Sequence, residues 1–206
     1  MSTATAVLLM SLAADPVVLF DGQSLDGWYG TAGVWRVEDG AIVAGSDTEP
    51  APRNEFLTTN SNYADFELTA KFRLSDDATN PNAGIQFRTM RIADDFEVIG
   101  YQADIGPGYF GALYDESRRR RMLARPSEET LTQALEGVGP GGWHHYRVRA
   151  VGPHIELWLN GVKTVDFAEP DDGVAVSGKI ALQIHGGMTG TVRYKDLRVV
   201  PYDRAD

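Results

Sequence analysis

The run Asp65-Phe-Glu-Leu-Thr-Ala-Lys-Phe-Arg-Leu74 constrains the fold more than any other stretch of the chain. Phe66, Leu68, Ala70, Phe72 and Leu74 fall at every second position, and Asp65, Glu67, Thr69, Lys71 and Arg73 take the places between them. A period of two puts the first set on one face of an extended strand and the second set on the other. Such a strand is stable only when a second layer covers its apolar face. Further strands are predicted at residues 17–20, 55–59, 84–88, 101–105, 112–116, 144–151, 154–159, 162–167, 178–185 and 191–200. Asp39-Gly40 splits residues 35–43 into a hairpin, and Asn160-Gly161 makes a second two-residue hairpin turn. Only residues 128–135 read as a turn or two of helix. Roughly a dozen strands with closely spaced turns predict an all-β, antiparallel sandwich.

Length and composition narrow the class. A chain of 206 residues suits a single all-β domain with a sizeable core. A formal net charge of −10 argues against a nucleic-acid partner, because phosphate binding needs a basic surface. The one basic run, Arg118 to Arg121, reads either as a solvated strand end or as a contact for substrate, with Arg118 the candidate. The absence of cysteine excludes disulfides, thiolate catalysis, cysteine-bound metal and a lipoprotein anchor. Residues 6–14 form an apolar run ending in small residues, too short to span a bilayer and similar to the core and cleavage site of an export signal. The expectation is therefore an export signal or N-terminal extension over residues 1–14, one domain over 15–206, no membrane span, and a periplasmic or secreted protein.

The polar sides of four strands carry more than solubility requires. Alternation sends Gln86 and Arg88, Gln102 and Asp104, Tyr114 and Glu116, and Gln183 and His185 outward, opposite the apolar positions. If these strands are neighbours, their amides, acids, arginine and histidine share one surface. That mixture of donors and acceptors suits sugar hydroxyls. Asp104, Glu116 and His185 are the candidate catalytic groups. Two carboxylates and a histidine are also a donor set for one divalent ion such as Ca, Mn or Zn, although their spacing carries no metal signature. Gln86, Arg88, Gln102, Tyr114, Arg118 and Gln183 are the candidate substrate-binding residues. Trp28, Tyr109 and Phe110 read as core residues or as an aromatic wall, and Asp115 as a partner for an arginine of the basic run. No Gly-x-Ser-x-Gly elbow or phosphate-binding loop is present.

Several segments, taken in order, resemble one family. They are Leu19-Phe-Asp-Gly22 with Leu25 and Trp28, residues 35–40, Asn54-Glu-Phe-Leu57, Asp65-Phe-Glu-Leu68, Ala83-Gly-Ile-Gln-Phe-Arg88, residues 157–161 and residues 180–186. Together they resemble the 3-keto-disaccharide hydrolases over residues 16–201. The resemblance implies a concanavalin A-like jelly-roll sandwich acting on glycosides already oxidised to a ketone at C3. It implies hydrolysis or elimination with the help of a divalent metal and no organic cofactor. Many relatives carry Gly-Tyr-Glu-x-Gln where this chain has Gly100-Tyr-Gln-Ala-Asp104, so amide and acid are exchanged on one strand face. The resemblance thereby implies Gln102, Asp104 and His185 as metal or base positions, Glu116 as the partner acid or base, and Gln86 and Arg88 as sugar-orienting residues. The alternative on the same sandwich is a noncatalytic, lectin-like carbohydrate-binding module.

Overall fold

The computed structural model describes residues 15–202; the expected export signal lies outside them. In chain order the elements are β1 (Val17–Val18), β2 (Trp28–Tyr29), β3 (Trp35–Glu38), β4 (Ala41–Ser46), β5 (Glu55–Thr59), β6 (Phe66–Leu74), β7 (Ala83–Arg91), β8 (Val98–Ile105), β9 (Leu113–Glu116) and β10 (Arg121–Ala124). They continue as α1 (Glu128–Leu135), β11 (His144–Val151), β12 (His154–Leu159), β13 (Val162–Ala168), β14 (Lys179–Ile184) and β15 (Gly190–Pro201). The first sheet runs β13-β12-β11-β6-β15-β4-β3, with β1 also paired to β15. The second runs β10-β9-β8-β7-β14-β5-β2. The two form an antiparallel sandwich, and among the described residues no helix is long and apolar enough to cross a membrane.

Local chemistry explains the elements. Phe66, Leu68, Ala70 and Phe72 are buried along β6 while Glu67, Thr69 and Lys71 between them are not, as the alternation requires. Asp39 and Gly40 both adopt positive φ between paired Glu38 and Ala41, and Asn160 and Gly161 do the same between Leu159 and Val162. Those are the backbone angles of tight hairpin turns that follow strand twist. Helix α1 is capped by Ser127, whose side chain accepts a hydrogen bond from the Thr130 backbone N–H. Strands β2 and β10 lie outside the predicted runs. β10 begins at Arg121, inside the basic run, because Arg121 and Met122 pair with Asp115 and Tyr114 of β9.

The core joins the sheets through aromatic and aliphatic residues, with Phe66 meeting Phe87 edge-on at 6.4 Å. Each fully buried phenylalanine contributes about 2–3 kcal/mol. Two tyrosines of the first sheet also pass their hydroxyls through this core to the second. Tyr146 donates to the Asp104 carbonyl at 2.5 Å and accepts from the Gly111 N–H at 2.7 Å. The Tyr194 hydroxyl lies 3.1 Å from the Gly84 carbonyl and 2.8 Å from that of Gln183, in reach of both acceptors. Buried hydroxyls need such partners, and here the partners are the backbone of β7, β8 and β14.

Arg88, expected to contact substrate, belongs instead to a clamp between the layers, and Arg118, expected to do the same, to an ion-pair network of the second sheet. Arg88 sits at a bulge in β7 with φ 48°. The bulge reverses the alternation, and the buried guanidinium donates to Asp65 (3.0 Å), to the Ala64 carbonyl (3.0 Å) and to the Gly152 carbonyl (2.5 Å). Arg118 folds back to lie 2.7 Å from fully buried Asp115, with its guanidinium over the Tyr101 ring. Neighbouring Arg119 bonds Asp115 and forks onto Glu169 just after β13 at 2.9 and 2.6 Å, where the Tyr101 hydroxyl also donates at 2.6 Å.

Burial pushes the Glu169 carboxyl up, but Arg119 and Tyr101 outweigh it and hold the group at about 2. Its ordinary value is 4.5, so this contribution is complete above pH 4.5 and fades as the pH falls toward 2. Glu169→Gln is therefore expected to destabilise the fold by about 2–3 kcal/mol at pH 7, because it removes the charge that the Arg119 fork and the Tyr101 hydroxyl stabilise. Denaturant titrations should show the gap between variant and wild type narrowing at pH 3.

Candidate active site

The site occupies the outward face of the second sheet. Register places Gln102 of β8 opposite Gln86 of β7 and Tyr114 of β9, and Asp104 opposite Gly84, which itself pairs with Gln183 of β14. The alternation read from sequence thus brings Gln86, Gln102, Asp104, Tyr114, Glu116 and Gln183 onto one surface. Their depths differ. Gln86 and Gln183 are completely buried and lie beneath the opening, whereas Gln102, Asp104, Tyr114, Glu116 and His185 line a cleft of about 240 Å³.

An outward face this dry requires a cover. The hairpin between β7 and β8 supplies it by arching across β14 to reach β5. Arg91 donates to the Phe56 carbonyl at 2.6 Å, Asn54 Nδ2 donates to Glu97 at 2.9 Å, and Arg53 lies over the Phe96 ring at 4.6 Å. Glycine makes room underneath: a Cβ at Gly84 would stand 2.4 Å from Gln102 Cδ. Into that space folds a chain of amides, in which Gln86 donates to Gln102 and Gln102 donates to Asp104. Gln183 Nε2 donates to Glu116 at 3.3 Å. Gln86 therefore reaches Asp104 only through Gln102, whereas Gln183 bonds Glu116 directly, and both amides are buried beneath the opening.

Desolvation decides the electrostatics. Burial pushes Asp104 up to about 7, with nearby Glu116 adding to the rise and the Gln102 amide opposing it. Burial also pushes Glu116 up to about 7, assisted by the charge of Glu97 and opposed by the Gln183 amide and Arg120. Tyr114 is raised too, by burial and then by Glu116 and Asp104. Two neighbouring carboxyls that titrate near neutrality can give and take protons at physiological pH.

His185 follows the end of β14, and its Nδ1 lies 2.8 Å from the Gly186 carbonyl. Asp104, Glu116 and His185 line one cleft but do not gather at metal-ligand spacing. Among the described residues the three groups that do gather are His154, Glu156 and Asp166, within 4.8 Å of one another. These sit on the first sheet, where Lys163 and Arg149 already neutralise them at 2.5–2.8 Å. The donor set expected for a metal does not fit a preformed three-ligand centre.

Several lining residues carried no periodic signal. Asn54, Asn82 and Tyr109 come from loops, and Met122 from the unpredicted β10. Asn54 also accepts from the Gly186 N–H at 3.0 Å, tying the loop before β5 to the His185 turn. A second hollow of about 370 Å³ shares Asn82, Tyr109 and His185 with the cleft. Of the three candidate wall aromatics, Tyr109 is in place. Trp28 is core, donating to the Leu19 carbonyl at 2.6 Å, and Phe110 stacks on Phe72 and His144.

The fold is a jelly-roll sandwich with a polar cleft on one outer face, and comparison with known proteins carries this one step further. Residues 15–200 match the 3-keto-alpha-glucoside-1,2-lyase-like domain, and the chain belongs to that family. Among solved structures it is similar to a candidate glycosyl hydrolase of Parabacteroides distasonis, with 20% identity, coverage of 91% of this chain and 94% of that one, and a TM-score of 0.65. It is also similar to the carbohydrate-binding module CBM66 of Bacillus subtilis, with 15% identity, coverage of 84% and 95%, and a TM-score of 0.64. A Bacillus subtilis protein with a galectin-like fold matches at 10% identity, 94% and 97% coverage, and a TM-score of 0.62. At these identities the likeness concerns the fold. No curated protein matches the sequence.

A carboxyl raised from 3.8 to about 7 favours the fold while protonated, and that advantage is lost as the pH climbs through 7. Asp104→Asn is therefore expected to be more stable than wild type at pH 8, by on the order of 2 kcal/mol. At about pH 3.5, below the ordinary value of 3.8, it should be nearly equal to wild type. Thermal melts at the two pH values measure the difference.

Proposed function

We propose that the protein cleaves the glycosidic bond of 3-keto-glycosides, removing a proton from C2 and expelling the C1 substituent. The observation that carries this reading is the pair Asp104 and Glu116, held in one polar cleft and both titrating near 7. A ketone at C3 acidifies the C2 hydrogen, so a carboxylate of ordinary strength becomes an adequate base. Asp104 is the better base because the Gln102 amide donates to it and favours its ionised form. Glu116 is the better acid because the charge of Glu97 keeps its proton on.

The electron count closes without a further reagent. Asp104 takes the C2 proton and the C–H pair moves into the enolate. That enolate then forms the C1–C2 double bond as the C1–oxygen bond breaks. Glu116 protonates the departing oxygen. Water next adds across the double bond, its hydroxyl to C1 and a proton to C2, which restores both carboxyls and gives net hydrolysis. Asn82 Oδ1, buried without a hydrogen-bond partner on the cleft wall, is an acceptor for a sugar hydroxyl. Tyr114 and His185 are assigned to the same binding role, with the buried amides of Gln86 and Gln183 fixing Gln102 and Glu116. The divalent metal implied by the family has no gathered ligand set here, and no step is assigned to it.

A second reading, a noncatalytic carbohydrate-binding module, draws on the likeness to CBM66. Asp104→Asn separates the two. The enzyme reading expects turnover of a 3-keto-glucoside to fall about 10²–10⁴-fold with binding largely kept; a binding module shows no aglycone release from wild type either. Glu116→Gln should be far more damaging for an alkyl leaving group than for nitrophenolate, which departs without a proton. Release assays on the two substrates check that contrast.

A further inference from the structure

Beyond the second hollow lies a third and larger one that nothing above has used. It measures about 470 Å³ and shares Pro81 and Pro107 with its neighbour, so three hollows follow one another from the acid pair toward the end of the sandwich. Their chemistry changes along the way. The first is lined by acids, amides and phenols. The last is walled by Leu74, Phe110, Leu135, Val138 and the two prolines, with Ser75 and Asp76 at its edge.

His144 also lines this end, and its ring continues an aromatic wall. It stacks 5.1 Å from Phe72 at 15° and 5.5 Å from Phe110 at 30°. Burial lowers its pKa, and its Nδ1 faces the Asn160 amide at 3.0 Å. The group is thus a neutral, flat ring already partnered at one nitrogen. A sugar placed here would leave most of its hydroxyls without partners, whereas an apolar ring would exchange water for close contact.

We propose that this apolar groove is the leaving-group subsite, and that its occupant is an aromatic or otherwise apolar ring carried on C1 of the sugar. The proposal rests on the 3-keto-glycoside reading for its direction, because the sugar occupies the cleft at the acid pair. Continuity of the three hollows then carries the C1 substituent past Tyr109 and over the Pro81–Pro107 rim. Substrates bearing a flat apolar aglycone are selected over disaccharides whose second ring is fully hydroxylated.

Gly139 offers a test that leaves the fold alone. It lines the groove, and a Cβ built on it meets nothing within 4 Å. Gly139→Trp should obstruct the groove with its indole, since its first side-chain carbon meets nothing within 4 Å, while Gly139→Ala should behave as wild type. Calorimetric titration with 4-methylumbelliferyl glucoside and with methyl glucoside reads binding without any need for turnover. The expected result is at least tenfold tighter binding of the aryl glucoside by wild type, with that advantage erased in Gly139→Trp and methyl glucoside unaffected. Equal affinities in wild type, or an aryl preference that survives Gly139→Trp, overturns the groove. Aglycone release from the 3-keto form of the aryl glucoside is measured alongside. Absent release with the binding contrast intact overturns the catalytic reading and leaves the groove standing.

Discussion

A strip of amides and carboxyls on an outward sheet face has been taken out of water, and the proposed chemistry depends on that. Ordinarily such a face is wet, and its acids titrate near their usual values. Here the β7–β8 hairpin arches across β14 and is tied to β5 through Arg91 and the Asn54–Glu97 bond. The amides beneath it can then bond only one another and the acids. Desolvation is the largest influence on both Asp104 and Glu116, and it raises each by roughly the amount a neutral-pH acid–base pair requires.

The strip is also held from below. Tyr146 and Tyr194 cross the core from the first sheet and reach the carbonyls of Asp104, Gly84 and Gln183, the backbone of the row that carries the acids. Packing and function meet at these hydroxyls: the same residues that fill the core fix the position of the strands above it. At the margin, Arg88 and the Asp115–Arg119–Glu169 network fasten one sheet to the other. The arginines that looked most available for substrate are therefore spent on rigidity, and the polar lining of the cleft is left to amides, phenols, His185 and two weak acids.

Much of this was legible in the alternation. Gln102 and Asp104, two residues apart on β8, had to share a face, and Leu113 on the inner side of β9 sent Tyr114 and Glu116 outward with them. Whether those strands were neighbours was not legible, since strand order is set by pairings between residues far apart in the chain. Arg88 was misplaced because a bulge and a positive φ turn the side chain inward, and no local pattern announces that reversal. Asn54, Asn82 and Glu97 lie in loops, where no periodicity exists to be read. Nor does alternation convey depth, which is why Gln86 and Gln183 looked like ligand contacts and are buried supports. Alternation is likewise silent on metal ligation. Residue types on one face do not determine how near their side-chain atoms come to one another.

Direct titration of the two acids puts the account to its hardest test. Carboxyl carbon shifts of Asp104 and Glu116, assigned by comparison with Asp104→Asn and Glu116→Gln, can be followed by NMR from pH 4 to pH 9. Midpoints near 7, with the titration of each group altered when the other is neutralised, are the predicted result. Two independent transitions near pH 4 would mean that the strip is hydrated, and would contradict the account.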